Sequence, residues 1–360
     1  MQGKNRSEAS TAVLSAGPRD RTDRYSRQER FVMIGSEGQR KLSEGAVLVV
    51  GAGALGTGIA ETLVRAGVGR VVIADRDYVE WSNLQRQQLF AEEDAELRLP
   101  KAIAAQKRLQ AINSEVAVEA HVMDVTYAEI SSLLPGIQLI LDATDNFDTR
   151  MVINDISQKE GIPWIYGACV GSYGITFTIL PGVTACLNCL LGSVPLGGDT
   201  CDTAGIIPPT VQMVVAHQTT EALKLLTGRT DSLRGTLLTF DLWRNEQASL
   251  KMDTARKADC PSCGSHATYP YLSHSGSRKT EVLCGRDTVQ IRPAKPREWN
   301  LEETAKALMR LGEGTAEFNK FLLSYTIGER RLVLFKDGRA LIHGTKDIVE
   351  AKVLYDRYFG

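Results

Sequence analysis

The sequence contains no hydrophobic run approaching the roughly 18 residues that span a lipid bilayer. Residues 1–20 have no apolar core of signal-peptide length and no clear cleavage pattern, and we expect a mobile tail there. The chain also lacks an excess of one charge, because 42 Lys and Arg oppose 43 Asp and Glu, for a net charge of −1. These absences argue against a membrane protein and against binding to nucleic acid or an anionic membrane. We expect a cytoplasmic globular protein.

Strand and helix patterns alternate through the first half of the chain. This alternation predicts an α/β fold with a doubly wound, mostly parallel sheet and helices on both faces. Two later strands, 175–180 and 236–242, alternate in the manner of antiparallel strands, and a long helix at 210–228 separates them. The earlier strand candidates are 46–50, 70–74, 116–121 and 137–142, and the helix candidates are 54–66, 100–112, 126–134 and 147–159.

The composition changes after about residue 265, where a linker-like stretch precedes a second set of patterns. A helix around 301–311, a hairpin turn at Asp337-Gly338 and a helix at 347–358 predict a small α+β unit. With 360 residues, the chain is long enough for one α/β domain of about 250 residues and a smaller one. We therefore expect a main domain at 21–265 and a carboxyl-terminal domain at 266–360.

The most informative motif is AVLVVGAGALG at 46–56, an apolar strand followed by a G-x-G-x-x-G loop. Its glycines are Gly51, Gly53 and Gly56, and such a loop opens a helix whose N-terminus binds phosphate. Asp75 ends a second strand 19 residues after Gly56, where an acid suits a ribose hydroxyl. Taken alone, this half-fold most often indicates NAD.

The residues that follow depart from an NAD site. Asn83 and Arg86 come next, then Lys101 in LPKA and Asp145 in DATDN. Two fixed cations and an acid directed at one phosphate site suit a metal–triphosphate better than a dinucleotide. Asp145 also follows a strand, and ligands of doubly wound sheets bind beyond the carboxyl ends of strands. The alternative is that Arg86 and Lys101 are solvated surface charges, as most Arg and Lys are.

Four of the seven cysteines form two C-x-x-C pairs, CLNC and CPSC. Four thiolates from Cys186, Cys189, Cys260 and Cys263 match a tetrahedral structural zinc site with no open coordination position. The alternative is two pairs of buried or redox-active thiols.

Cys201 lies apart from these pairs, in the glycine-rich segment 191–205 that we expect to be an exposed loop. It is either a nucleophile that captures an activated acyl group or an incidental loop cysteine. Cys169 and Cys284 are expected to be small packed residues, and His217 a packing histidine within helix 210–228. The arginines of RYSRQERF, which include Arg27, are typical of a solvated helix face.

Together these motifs resemble the ubiquitin-activating-enzyme-like adenylyltransferases of the ThiF/MoeB/HesA family, and most of all the thiazole-biosynthesis members of bacilli. The resemblance covers about residues 20–265. The motifs that carry it are RYSRQ (24–28), GAGALG (51–56), DRDYVEWSNLQRQ (75–87), LPKA (99–102), DATDN (142–146), CLNC, TCDTAG (200–205) and CPSC.

The resemblance implies a site for ATP with Mg²⁺. Backbone N–H groups of the glycine loop would contact the phosphates, Asp75 the ribose and Asp145 the magnesium ion. It also implies that Arg27 reaches the γ-phosphate in the neighbouring subunit of a homodimer. Cys201 matches the cysteine that some members link to their carrier protein, although MoeB-type members work without such a thiol. The residues expected at the nucleotide are Gly51, Gly53, Ala54, Gly56, Asp75, Ser82, Asn83, Leu84, Gln85, Arg86, Lys101, Asp145 and Asn146.

The activity that the resemblance implies is adenylation of the carboxyl-terminal Gly-Gly of a ubiquitin-like sulfur carrier, ThiS, for thiamine thiazole biosynthesis. A cysteine desulfurase or another sulfur donor would then convert the adenylate to a thiocarboxylate. One alternative keeps the chemistry and replaces the carrier with a MoaD-type protein of molybdopterin synthesis. Another is an NAD-dependent oxidoreductase, for which we find no hydride-transfer constellation. A non-catalytic scaffold would require lost phosphate-binding residues, and none is missing.

Overall fold

The computed structural model describes residues 23–191, 204–273, 279–282, 287–293 and 298–360. Its framework consists of an eight-stranded sheet and a six-stranded sheet. Within these residues, none of the helices combines the length and apolar character needed to cross a membrane.

The eight-stranded sheet has the order β3-β2-β1-β4-β5-β6-β7-β8. The first five strands in this order are parallel to their neighbours, and the pairs from β5 onward are antiparallel. This arrangement confirms the predicted mostly parallel sheet with an antiparallel extension. The strands are β1 (Ala46–Val50), β2 (Arg70–Asp75), β3 (Ala117–Val122), β4 (Leu139–Asp142), β5 (Trp164–Val170), β6 (Tyr173–Ile179), β7 (Thr236–Asp241) and β8 (Glu246–Lys251).

Helices cover both faces of this sheet because β1 is apolar at every position and buries all five side chains. Val47 and Val49 pack in a core with α3, α5 and α9, whereas Leu48 and Val50 pack with α6 and α7 on the other face. The helices of this part are α1 (Ser26–Glu29), α2 (Gly35–Ser43), α3 (Ala54–Ala66), α4 (Glu92–Glu96), α5 (Lys101–Ile112), α6 (Tyr127–Leu133), α7 (Phe147–Glu160), α8 (Leu187–Leu191) and α9 (Pro208–Leu226).

Two strands of this sheet lie outside the strands predicted from the sequence. β5 mixes aromatic residues with Gly and Ala and so lacks a clean periodic signal. β8 is exposed at all six residues, as a polar edge strand is, and therefore carries no apolar pattern. The long helix also begins two residues earlier than predicted, because Pro208 and Pro209 form its first turn, where their missing N–H groups cost nothing.

The six-stranded sheet is antiparallel throughout and has the order β11-β12-β13-β14-β10-β9. We call residues 279–360 the carboxyl-terminal unit, and the predicted domain boundary at 265/266 remains a prediction. The unit comprises β9 (Lys279–Val282), β10 (Thr288–Arg292), α10 (Leu301–Arg310), β11 (Thr315–Phe318), β12 (Leu322–Ile327), β13 (Arg330–Phe335), β14 (Ala340–His343) and α11 (Ile348–Phe359).

The two faces of this second sheet have different neighbours. On one face, Leu332 and Leu334 pack in a core with residues of α10 and α11. On the other face, Val333 and Leu341 pack against Tyr78, which follows β2 of the first sheet. The carboxyl-terminal unit therefore rests directly on the chain segment that comes after Asp75.

Candidate functional site

The glycine loop joins β1 to α3, and its glycines have different surroundings. Gly51 has a φ of +99°, and a Cβ there would lie 2.5 Å from the carbonyl oxygen of Ala143. A Cβ on Gly56 would lie 1.9 Å from the carbonyl oxygen of Gly51. A Cβ on Gly53 would instead meet only Nε2 of Gln87, at 4.0 Å. Packing within the protein thus requires the first and third glycines, whereas space for a ligand remains at the second.

That space lies at the N-terminus of α3. Gly53 is the N-cap residue of this 13-residue helix and offers no side chain to its first N–H groups. The first N–H groups of a helix have no partner within the helix, and the helix dipole favours negative charge at this end. The open side of Gly53 is therefore suited to an anion such as a phosphate.

Asp75 connects the glycine loop to the turn after β2. Its Oδ2 accepts a hydrogen bond of 2.6 Å from the N–H of Ala52, and its Oδ1 accepts one of 2.7 Å from the N–H of Asp77. Burial raises the pKa of the Asp75 carboxyl, against the opposing effect of the positive charge on Lys101. Each carboxylate oxygen can accept a further hydrogen bond, so the expected contact with a ribose hydroxyl is chemically possible.

Two buried side-chain amides lie one turn apart after β2. Oδ1 of Asn83 accepts from the N–H of Glu80 at 3.0 Å, which leaves Nδ2 buried and without a partner among the described residues. The N–H of Gln87 donates to the carbonyl oxygen of Asn83, and Oε1 of Gln87 is likewise buried and unpartnered. Buried polar atoms are normally hydrogen-bonded, so both amides point to a ligand.

Gln87 was not among the residues predicted from the sequence. The available signal was its position one helical turn after Asn83 in SNLQRQ, with an amide side chain of the same chemistry. Of the other residues predicted in this segment, Ser82 and Gln85 are exposed and Leu84 is half-buried.

The two candidate cations differ in their surroundings. Lys101 begins α5, is only 4% exposed, and its Nζ lies 3.4 Å from Oδ2 of Asp77. Burial of this lysine excludes the interpretation as a solvated surface charge, because lysine is almost never fully buried unless its charge is paired. Arg86 is half-exposed, and its Nη1 donates to the carbonyl oxygen of Ser82 at 2.8 Å. For Arg86 the alternative stays open.

Asp145 lies in the turn between β4 and α7 and is exposed. The next residue, Asn146, is the N-cap of α7, where its Oδ1 accepts from the N–H of Thr149 at 3.1 Å. Because β4 pairs with β1 in parallel, this turn and the glycine loop emerge at the same edge of the sheet. The structure therefore brings the Asp145 turn, the glycine loop and Asp75 to one edge, which is where ligands of such sheets bind.

Arg27 lies far from this edge within its own chain. Its neighbour Arg24 donates to the carbonyl oxygen of Ile112, the last residue of α5, and Gln28 donates to that of Ala66, the last residue of α3. A helix of 13 residues is roughly 20 Å long at 1.5 Å per residue. Arg27 is thus at the opposite end of α3 from the glycine loop.

The four paired cysteines form one cluster. All four Sγ atoms lie within 4.8 Å of one another, with 3.6 Å between Cys186 and Cys260 and 3.5 Å between Cys189 and Cys263. Tetrahedral zinc with Zn–S bonds of about 2.3 Å requires S–S separations of about 3.8 Å, so the cluster fits the ion. Burial raises the pKa of the Cys263 thiol to about 11 and also raises that of Cys186.

Hydrogen bonds join the two cysteine pairs to each other and to helix α7. Asn188 donates to Oγ of Ser262 at 3.0 Å, and the N–H of Lys257 donates to Sγ of Cys189 at 3.4 Å. The N–H of Leu187 donates to Asn154 of α7 at 2.8 Å. A single shared cluster favours one bound metal ion over two separate thiol pairs.

The remaining predictions concern three cysteines and one histidine. Cys201 and Cys284 lie outside the described residues. Cys169 is half-buried in β5, and the ring of His217 packs 6.1 Å from that of Phe240, as expected of packing residues. Burial lowers the pKa of His217.

Comparison with known proteins gives strong matches over the part of the chain that forms the first sheet. The ThiF family profile matches residues 25–262. The chain is 54% identical to the sulfur carrier protein ThiS adenylyltransferase of Bacillus subtilis, over 94% of this chain and 100% of that protein. It is 38% identical to the sulfur carrier protein adenylyltransferase of Thermus thermophilus, over 74% of this chain and 98% of that protein. It is 36% identical to the sulfur carrier protein ThiS adenylyltransferase of Escherichia coli, over 67% of this chain and 94% of that protein.

Among solved structures, that of Escherichia coli MccB with ATP is similar in fold. The TM-score is 0.59 at 20% identity, over 69% of this chain and 75% of MccB. The Thermus and Escherichia coli relatives are matched over nearly their whole lengths and yet leave a quarter or more of this chain without a counterpart.

Proposed function

The chain belongs to the ThiF family, and from that premise we propose that it adenylates the carboxyl-terminal carboxylate of a small sulfur-carrier protein with ATP. The observation that carries this proposal is a set of potential phosphate ligands beside the glycine loop. Gly53 leaves the N-terminus of α3 open, Lys101 is a buried cation, and Asn83 presents an unpartnered amide nitrogen. The arrangement offers N–H donors and positive charge and no evident group for hydride transfer, which argues against the NAD-dependent oxidoreductase.

The preferred carrier is of the ThiS type, and the sulfur would come from a cysteine desulfurase or a similar donor. The relative from Bacillus subtilis is named for ThiS. The whole length of that relative matches 94% of this chain at 54% identity. The MoaD-type carrier remains the alternative, since the same chemistry and the same motifs serve both.

No side chain needs to act as a base in this reaction. The attacking carboxylate is already ionised at neutral pH, and its oxygen bonds to the α-phosphorus of ATP as pyrophosphate leaves. The protein has to position both groups and neutralise the charge that spreads over the phosphates. Lys101 would turn to a phosphate at small cost, because its 3.4 Å pairing with Asp77 is longer than a strong charge-assisted hydrogen bond.

Arg86 and Asn83 would add donors to the same phosphates, with Asp75 on the ribose. Asp145, beside Asn146, would hold the magnesium ion that, when bound, neutralises phosphate charge. Arg27 would serve the γ-phosphate of the partner subunit in a homodimer. The length of α3, which separates Arg27 from its own glycine loop, supports this arrangement in trans.

The four clustered cysteines would hold a structural zinc ion that fixes residues 186–189 to residues 260–263. With four thiolate ligands the ion has no position for a substrate, so we give it no catalytic part. Reduced thiolates fit the cytoplasm, where we place the protein. For Cys201 we propose the covalent role implied by the family resemblance, namely capture of the activated carrier or its sulfur.

Pyrophosphate exchange tests the proposal. With Mg²⁺ and a purified ThiS-type carrier, the protein should incorporate labelled pyrophosphate into ATP, and a MoaD-type carrier in parallel identifies the preferred substrate. Lys101→Met should lower the rate at least ten- to a hundredfold, the loss typical of one preorganised charge contact. Lys107→Met is the matched control, since Lys107 is an exposed lysine of the same helix. Tight NADH binding without exchange for either carrier would refute the proposal.

A further inference from the structure

The carboxyl-terminal unit contacts the turn that carries Asn83. On β13, Nη2 of Arg331 donates to the hydroxyl oxygen of Tyr78 at 2.9 Å and to Oε1 of Glu80 at 3.0 Å. Its guanidinium carbon also lies 5.9 Å from the centre of the Tyr78 ring. On β14, Nε2 of His343 lies 3.1 Å from the same hydroxyl. These contacts join residues more than 250 positions apart in the chain.

Glu80 connects this contact to the candidate phosphate ligand. Its N–H donates to Oδ1 of Asn83, and its carbonyl oxygen accepts from the N–H of Asn83 at 2.9 Å, so the two residues close the turn Trp81–Asn83 reciprocally. The first of these bonds fixes which way the Asn83 amide faces. Nδ2 is consequently the buried, unpartnered atom, and Oδ1 is not.

We propose that Arg331 is a positioning residue for nucleotide binding, because it holds Glu80 and through Glu80 directs the amide nitrogen of Asn83 toward the phosphates. The inference rests on the proposed nucleotide site and adds a role for the carboxyl-terminal unit. Other contacts brace the neighbouring loop in the same manner: Arg98 binds Glu317 at 2.8 Å, and Asn319 donates to the carbonyl oxygen of Leu97 at 3.0 Å, just before Lys101.

The ThiF family profile ends at residue 262, before the carboxyl-terminal unit begins, and this limits the size of the effect. The Thermus and Escherichia coli proteins are named as adenylyltransferases without a counterpart to a quarter or more of this chain. The unit is therefore not a requirement of the chemistry in the family. A brace of this kind changes how well the site is organised before ATP binds, so loss of Arg331 should weaken ATP binding and leave turnover at saturating ATP nearly unchanged.

The strand offers a matched control next to Arg331. Arg330 has almost the same side-chain exposure, 32% against 31%, but its Nε binds Glu350 of α11 at 2.8 Å. It also donates to the carbonyl oxygen of Gly344, again within the carboxyl-terminal unit. Arg330→Met thus removes a comparable ion pair from the same strand without touching the Glu80 turn.

The experiment measures ATP·Mg²⁺ affinity of the full chain by isothermal titration, without carrier, and the Michaelis constant for ATP in pyrophosphate exchange. Arg331→Met should raise both constants roughly five- to tenfold, less than the loss of a direct charge-assisted contact with ATP, because Arg331 acts only through Glu80. Arg331→Lys should restore a good part of the affinity, because its ammonium can still reach Glu80. Arg330→Met should bind ATP as the wild-type chain does.

Three outcomes separate the inference from the proposed function. If Arg331→Met binds ATP within twofold of wild type, or if Arg330→Met weakens binding equally, the positioning role is wrong. If the wild-type chain binds ATP in an Arg331-dependent manner but exchanges no pyrophosphate with any carrier, the inference stands and the proposed reaction fails. If the wild-type chain does not bind ATP, both are overturned.

Discussion

A methyl group at Gly53 should weaken ATP binding strongly and leave the chain folded, which is the sharpest test of the phosphate site. An alanine Cβ at this position meets only Nε2 of Gln87, at 4.0 Å. The φ of −83° is open to any residue, but the ψ of −147° lies outside the regions that L-residues prefer, so the substitution requires a local adjustment of ψ. We expect Gly53→Ala to remain folded, with its free energy of unfolding lowered by about 1–3 kcal/mol through this backbone strain.

The effect on ATP follows from where the methyl group would stand. It occupies the open approach to the first N–H groups of α3 and keeps a phosphate from them. Loss of one charge-assisted hydrogen bond costs about 1.5–3 kcal/mol, which corresponds to roughly 10- to 100-fold weaker binding. Pyrophosphate exchange should fall by a similar factor at low ATP concentration.

Gly56→Ala is the matched control. Its Cβ would lie 1.9 Å from the carbonyl oxygen of Gly51, a backbone atom that cannot move aside freely, so this variant should lose stability by several kcal/mol. Thermal unfolding measures the stability of both variants, and titration with ATP·Mg²⁺ measures their affinity for ATP. If Gly53→Ala is folded and binds ATP as tightly as the wild-type chain, the phosphates do not approach α3 at this glycine and the site is wrongly placed.

Further predictions concern the cysteines and the dimer. Cys260→Ser should lower the zinc content from one ion per chain and the melting temperature together, and the absence of zinc from freshly purified, unchelated protein would refute the metal site. Mixing Arg27→Ala chains with Asp145→Ala chains should restore pyrophosphate exchange in heterodimers. One of the two sites then combines the intact pocket of the Arg27→Ala chain with the intact arginine of the Asp145→Ala chain. If Arg27 serves its own chain, mixing restores no exchange. Cys201→Ser should leave pyrophosphate exchange unchanged and abolish a thiol-sensitive complex with the carrier, whereas normal thiocarboxylate formation by this variant would make Cys201 incidental.

Features with a local cause could be predicted from the sequence. The glycine loop is recognisable because a strand that is apolar at every position, here β1, must be followed by a turn that returns a helix over it. The cysteine cluster is recognisable because each C-x-x-C pair supplies half of a tetrahedral site by itself. In both cases a few adjacent residues determine the geometry, and the rest of the chain only has to bring the pieces together.

Features with a distant cause could not be predicted. Gln87 belongs to the candidate site because its side chain faces Gly53, which is 34 positions earlier in the chain. Arg339 is only 2% exposed, with its guanidinium 3.8 Å from the ring centre of Phe335, although arginine is a surface residue in most contexts. It is buried because its face of the six-stranded sheet packs against the segment after β2. No residue near Arg339 in the sequence indicates that contact.

The two candidate cations, Arg86 and Lys101, show that burial can separate a phosphate ligand from a solvated surface charge where the residue type cannot. On the sequence alone, Arg86 and Lys101 are equivalent, since each stands in a motif and each has the alternative of being a solvated surface charge. A lysine inside a protein loses hydration that its 3.4 Å partner, Asp77, replaces only in part, so an incidental lysine would not be retained there. A half-exposed arginine keeps much of its hydration, so its position does not by itself indicate a ligand. The structure therefore makes Lys101 the stronger candidate for the phosphate.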